Sequence, residues 1–237
     1  MNRRPASAST PMKPLTTTQE LDSARDFHRG RKTPKRALAI MDAARVELEN
    51  HDIAGHALRP GAIAPDFILP DVDGRSVRHY RELARGPVVL VFYRGGWCPY
   101  CQIHLRGYQK SLAEFTAAGA QVVAVSPQLP DHSLTTREKT KLAFPVLSDV
   151  GLNTARAFRV AFELPQALLG LYAHFGHPLE NFNGLAGGKE LPLPATFLIR
   201  ADRTIAYAHV AADYTRRSEP LEVLKLVTSM RLPPFEA

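Results

Sequence analysis

Pro87-Val-Val-Leu-Val-Phe-Tyr93, Arg94-Gly95-Gly96 and Trp97-Cys98-Pro99-Tyr100-Cys101 follow one another without a gap. The first segment is a continuous apolar run, which suits a central strand buried on both faces. Two glycines end it. Pro99 fits the first position of a helix, which makes Cys98 its N-cap. Cys101, Leu105, Tyr108, Leu112 and Phe115 then recur at steps of four and three, the apolar stripe of a helix running to about Ala118.

Working outward, Gln121 to Ser126 reads as a second buried strand, and Val146-Leu147 as a short one. Asp66 to Leu69 and Val77, joined by Asp71-Val72-Asp73-Gly74, read as a hairpin. The spacing of Asp71, Asp73 and Glu82 mimics a calcium loop, but Arg75 and the misplaced Gly74 rule that out. Helices are expected over Thr135 to Phe144, Asn153 to about Phe162, Gln166 to Phe175 and Glu219 to Met230. Ala195 to Ile199 and Thr204 to Val210 read as two strands joined by Ala201-Asp202-Arg203. This order implies an α/β fold with a mixed central sheet flanked by helices, parallel in its core and antiparallel at one edge.

The chain divides into three parts. Residues 1–16 read as a disordered basic tail. Residues 17–58 read as a helical arm, with one helix from Thr18 to His28 and another from Thr33-Pro34 to Asn50. Residues 59–237 form the main domain, with an irregular insertion at 164–193. The 237 residues carry a formal net charge of +7, densest in the arm, with no motif of a nucleic-acid fold beside it. A solvated arm and no nucleic-acid partner are therefore expected. No apolar run suits a membrane span or a secretory leader, so a cytoplasmic protein without a membrane partner is expected.

Cys98 and Cys101 are the chain's 2 cysteines. A bond between them would close too small a loop to constrain the unfolded chain, so a scaffold role does not fit. A C-x-x-C pair between a buried strand and a helix reads as a thioredoxin-like redox centre. As N-cap, Cys98 faces the unpaired N–H groups of the first turn, which favour a thiolate there. Cys101 falls on the buried stripe. Cys98 is thus read as the nucleophile and Cys101 as the resolving thiol. A zinc site lacks ligands, so no metal or cofactor is expected. His104 reads as a helix-surface residue, His174 and His177 as loop residues, and Tyr214 to Arg217 as a surface loop or dimer contact.

From Gly61 to Val227 the chain resembles the peroxiredoxin-like branch of the alkyl hydroperoxide reductase and thiol-specific antioxidant family. The residues that carry this are Ala64-Pro65-Asp66-Phe67, Val88 to Tyr93, Trp97 to Cys101, Phe144 to Asp149 and Pro194 to Ile199. The resemblance implies a thioredoxin-like fold and thiol-dependent reduction of peroxides. It also implies a donor of thioredoxin, glutaredoxin or glutathione type. Two departures stand out. In the family pattern P-x-x-x-T-x-x-C, Arg94 takes the Pro position, Cys98 the Thr position and Cys101 that of the attacking cysteine, against the N-cap reading. The place of the family's peroxide-binding arginine is taken by Pro194, a candidate cis-proline beside the dithiol.

The site read from these residues comprises Cys98 and Cys101, supported by Arg94, Trp97, Pro99, Tyr100 and Pro194. A thiol peroxidase is the leading function. A thioredoxin- or glutaredoxin-like disulfide oxidoreductase and a non-catalytic redox sensor are the alternatives. The arm is expected to pack on the domain or on a partner subunit, and its size suits packing on a twin subunit in a homodimer.

Overall fold

The structure is a computed structural model that describes residues 15–230. The tail expected over 1–16 lies outside them, save for Leu15 and Thr16. Thr16 instead caps helix α1 (Thr17–Phe27): its hydroxyl accepts from the Gln19 N–H, and the Gln19 side chain accepts from the Thr16 N–H. A π-helical turn, His28–Lys32, leads to α2 (Lys35–Asn50). The hairpin follows as β1 (Ile68–Pro70) and β2 (Ser76–Arg78), with Leu69 opposite Val77. Then come α3 (His79–Leu83), β3 (Val88–Phe92), α4 (Pro99–Lys110) and α5 (Leu112–Ala117). Next are β4 (Gln121–Ser126), α6 (Pro130–Thr140), β5 (Val146–Ser148) and α7 (Asn153–Ala157). β6 (Ala161–Glu163) leads into the expected insertion, which holds α8 (Gln166–His174), α9 (Leu179–Asn183) and β7 (Glu190–Pro192). The chain closes with β8 (Ala195–Ile199), β9 (Ile205–Val210) and α10 (Pro220–Ser229).

The main sheet runs β5-β4-β3-β8-β9. β3 pairs in parallel with β4, and β4 with β5, whereas β8 is antiparallel to both β3 and β9. Every residue of β3 is buried, because helices cover both faces of the sheet. Its side chains alternate between two cores, as a strand's period of two demands. Val89 and Val91 join Leu105, Tyr108, Phe115 and Val223 on the α4 side; Val88, Leu90 and Phe92 join Phe158 and Phe197 on the other. Cys98 and Cys101 sit in the first of these cores. A third cluster joins the arm to the insertion, with Ala37 and Ala44 of α2 against Leu168, Leu171 and Tyr172 of α8, and Trp97 packed beside them.

The structure corrects several boundaries. α6 starts at Pro130 and not Thr135, since Pro130 occupies the first helical turn and Asp131 favours its positive end; it stops where Lys141 turns to φ 52°. The helix expected from Asn153 to Phe162 ends at Ala157. Arg159 adopts φ 58°, and residues 161–163 leave the helix to pair with β7, Phe162 opposite Leu191. The insertion is thus an excursion closed by a two-stranded ribbon. Among the described residues no peptide bond is cis, so Pro194 is a trans-proline ahead of β8, where its missing N–H costs no ladder bond.

Candidate active site

The site forms where β3 ends and α4 begins. Gly95 takes φ 153°, and a Cβ there would lie 2.3 Å from the Trp97 indole nitrogen; a Cβ on Gly96 would lie 2.0 Å from the Thr136 hydroxyl. Both positions therefore require glycine, which is more than a plain end of a strand. Gln128 accepts from the Gly96 N–H at 2.7 Å and from the Thr136 hydroxyl at 3.2 Å, which pins the loop to α6.

Cys98 is the N-cap of α4, with Pro99 in the first turn, as the spacing predicts. Its carbonyl accepts from Gln102 N–H at 3.1 Å. Its sulfur, however, takes no hydrogen bond from the first-turn N–H groups. The expected depression of its pKa is therefore overturned. A hydrogen bond with Cys101 and then burial push the Cys98 thiol well above the ordinary range.

Cys101 goes the other way. Burial opposes its ionisation, but a hydrogen bond from Cys98 and the charges of Arg217 and Arg94 hold it well below the ordinary thiol range. The Arg217 guanidinium donates to Cys101 Sγ at 3.4 Å. At that distance and an effective dielectric of about 20, a full charge pair attracts by about 5 kcal/mol. Burying a lone anion costs several kcal/mol, so one guanidinium roughly offsets burial and a second tips the balance.

Arg94 is only 3% exposed, and its guanidinium lies 4.8 Å from the Tyr214 ring, 5.0 Å from Trp97 and 5.3 Å from Tyr172. It also donates to the Tyr172 hydroxyl. Burial opposes its charge, yet Tyr172 and the two cysteine sulfurs hold its pKa above the ordinary value. Arg217, 8% exposed, donates in addition to the carbonyls of Tyr214 and Arg216. Among the described residues neither Arg94 nor Arg217 is ion-paired with a carboxylate. Two buried cations need an anion nearby, and the cysteine pair is what lies beside them. Arg217 and Tyr214 are therefore parts of the site, and reading them as a surface loop is corrected.

His104 is also misplaced by the sequence reading. It is 1% exposed, and its Nε2–H donates to the Ser218 carbonyl at 3.1 Å. Burial first, then Arg217 and His209, push its pKa well down, so it is neutral. The Ser218 hydroxyl meets Tyr108 at 3.0 Å and donates to Thr196 at 2.9 Å. This buried hub ties the segment carrying Arg217 to the helix carrying Cys101.

The other expected residues gather around the pair. Trp97, Pro99 and Tyr100 line a cavity of about 490 Å³ that reaches Cys98. Pro194 lies beside Arg94 and Tyr214 in a small neighbouring recess. His177, a loop residue as expected, stacks on Trp97 with ring centres 5.7 Å apart, while His174 ends α8. Among the described residues no group of three or more His, Cys, Asp or Glu is placed to hold a metal. No helix among them is long and apolar enough to cross a membrane.

The family described as AhpC/TSA matches residues 60–208, well over half of the chain. The chain belongs to the AhpC/TSA family. Two Mycobacterium tuberculosis relatives, named only provisionally as peroxiredoxins, are 39% identical over 92 residues, 39% of this chain and 58% of theirs. The chain thus spans under two thirds of those relatives. A chloroplastic peroxiredoxin Q of Triticum aestivum is 29% identical over 165 residues, 70% of this chain and 75% of its own. Among solved structures, the peroxidoxin BcpB of M. tuberculosis shares the fold with a TM-score of 0.59 at 24% identity, covering 74% of this chain and 99% of its own. Arg217 and the arm both lie outside the segment that places this chain in the AhpC/TSA family.

Proposed function

We propose that the chain is a thiol-dependent peroxidase that reduces hydrogen peroxide or alkyl hydroperoxides through a Cys98–Cys101 dithiol–disulfide cycle. The observation that carries this reading is the Arg217 guanidinium on Cys101 Sγ, with Arg94 as a second buried cation and, among the described residues, no carboxylate paired to either. Cys101 is the attacking sulfur. This choice sets aside the N-cap expectation for Cys98 and agrees with the register in which Cys101 takes the attacking position. The Cys101 thiolate attacks the terminal peroxide oxygen, the O–O bond breaks, and the departing alkoxide or hydroxide takes a proton. The resulting sulfenic acid is attacked by Cys98, water leaves with the Cys98 proton, and a disulfide forms. Arg217 and Arg94 stabilise first the thiolate and then the charge on the breaking O–O bond.

Cys101 is fully buried, and a peroxide reaches it past Cys98, which borders the cavity. Trp97, Tyr100 and Tyr172 wall the approach with apolar surface. A disulfide oxidoreductase would need its dithiol at the surface for a protein chain, and burial of both sulfurs weighs against that reading. Such a cycle suits the cytoplasm, where thiols are kept reduced, and a homodimer belongs to the same reading; sedimentation of the full chain reads out the latter.

The test is chemical trapping. After one equivalent of hydrogen peroxide, Cys98→Ser should retain a sulfenic acid at Cys101, captured by dimedone, and make no intramolecular disulfide. Cys101→Ser should capture none. Dimedone found on Cys98 in the Cys101→Ser variant would return the attack to Cys98, and no peroxide consumption by the unaltered chain would remove the peroxidase reading.

A further inference from the structure

A disulfide made by peroxide must be reopened by a donor, and the shape of the site restricts that donor. Cys98 is 1% exposed and Cys101 0%. The arm and the insertion close over them. His28, Thr33 and Met41 come from one side and Tyr172, Phe175 and His177 from the other, around the cavity of about 490 Å³. The arm is fastened down: Arg25 donates to Thr215 at 3.0 Å, Glu219 accepts from Thr18 at 2.7 Å, and the Tyr214 hydroxyl meets the Met41 sulfur at 3.4 Å. A folded donor protein cannot bring its cysteine to Cys98 without lifting this roof. A small thiol can enter.

A second cavity, of about 350 Å³, adjoins the first and shares Trp97 and His177 with it. It is the less apolar of the two. Gln102, Gln128, His132 and Lys139 line it, and among the described residues neither cavity is lined by a carboxylate. Arg137 on the same helix is ion-paired with Asp73, whereas Lys139 has no carboxylate partner among the described residues. Trp97 and His177 line both cavities and so flank the passage from one to the other.

The geometry points to a low-molecular-weight peptide thiol carrying carboxylates, glutathione in class, as the reductant of the Cys98–Cys101 disulfide. Its thiol lies against Cys98, its backbone passes between the cavities beside Trp97 and His177, and a carboxylate meets Lys139. This rests on the disulfide cycle proposed above. The donor thiolate attacks Cys98 Sγ, the S–S bond breaks, and Cys101 leaves as the thiolate that Arg217 stabilises. A second donor thiolate attacks the donor sulfur of the mixed disulfide. The donor disulfide departs, and Cys98 is left as a thiolate that takes up a proton. Two donor thiols supply the two electrons and two protons that restore the dithiol.

The test begins with the full chain and one equivalent of hydrogen peroxide. Loss of two hydrogens from the peptide spanning Cys98 and Cys101, read by mass spectrometry, shows that the disulfide exists; its absence would defeat the cycle itself and not the choice of donor. The isolated disulfide form is then mixed with glutathione, with cysteamine (a thiol without carboxylates) or with enzymatically reduced thioredoxin. Reduction is followed by the fluorescence of Trp97, the 1 tryptophan in the chain. At matched thiolate, glutathione should saturate and act at least about tenfold faster than cysteamine, with thioredoxin slower than either. Lys139→Ala should raise the half-saturating glutathione concentration and narrow the glutathione-to-cysteamine ratio. Faster reduction by thioredoxin, or equal and unsaturating rates for the two small thiols, would overturn the proposal.

Discussion

At Cys101 the decisive contact comes from a residue 116 positions away, Arg217. The spacing of Cys98 and Cys101 is plain in the sequence, and so is the N-cap position of Cys98. The charge on Cys101 is not, because Tyr214-Thr215-Arg216-Arg217 looks like any solvated loop until folding carries it inward. Arg217→Met should raise the Cys101 pKa, and once it lies above neutrality each further unit lowers the thiolate fraction at neutral pH about tenfold. The expected outcome is at least a tenfold fall in peroxide oxidation, read by stopped-flow fluorescence. The depressed pKa also has a sign. Cys101 is ionised above its folded value, so alkylation of Cys98→Ser by iodoacetamide should stay flat as the pH falls through the ordinary thiol range. It should fall only when acid protonates the sulfur. In Arg217→Met that fall should begin at higher pH.

Among the elements, β3 and α4 are readable because period and length agree with burial: an unbroken apolar strand, then an apolar stripe that starts at Cys101. The start of α6 and the strands β6 and β7 are not readable. Each of those strands has 3 residues, too few for a period, and their pairing depends on the backbone turn at Arg159. The hub at Ser218 belongs to the same class, since it draws His104 and Tyr108 from α4 and Thr196 from β8 to one hydroxyl. Ser218→Ala leaves those buried groups short of partners and should cost about 1–3 kcal/mol. For a chain of this size each kcal/mol lowers the melting temperature by about 2–4 °C, measurable by calorimetry. If the hub also positions Arg217, the pH of half-maximal alkylation should rise in this variant, an effect that lost stability alone does not produce.

Across the whole molecule, a mixed sheet parallel in its core and antiparallel at one edge was foreseeable from the alternation of strands and helices, whereas its strand order was not. Packing of the arm on the domain was one of two readings, but the residues that roof the dithiol were not legible. The roof is built where α1 lies along α4, with Leu21 buried in the core beside Tyr108, and where α2 meets α8. Leu21→Ala should remove about 2–5 kcal/mol of packing and loosen α1 before the sheet. Hydrogen exchange should quicken in residues 17–27, and alkylation of Cys98 should accelerate while the sheet amides stay protected. Uniform exchange across the whole chain would mean that arm and domain unfold together.

The two buried guanidiniums have a consequence for the oxidised form. When Cys98 and Cys101 join, the sulfur anion disappears while Arg94 and Arg217 keep their charges in the same dry space. The tiny loop that the bond closes offers almost no compensating loss of unfolded-chain freedom. Oxidation should therefore weaken this protein, contrary to the usual effect of a disulfide, and the oxidised chain should melt at a lower temperature than the reduced one. By the same linkage the couple is a strong oxidant, with a reduction potential above that of an ordinary structural disulfide. In the proposed cycle each turnover would then end in a strained state that relaxes when electrons arrive, so that the fold itself favours the return to the dithiol.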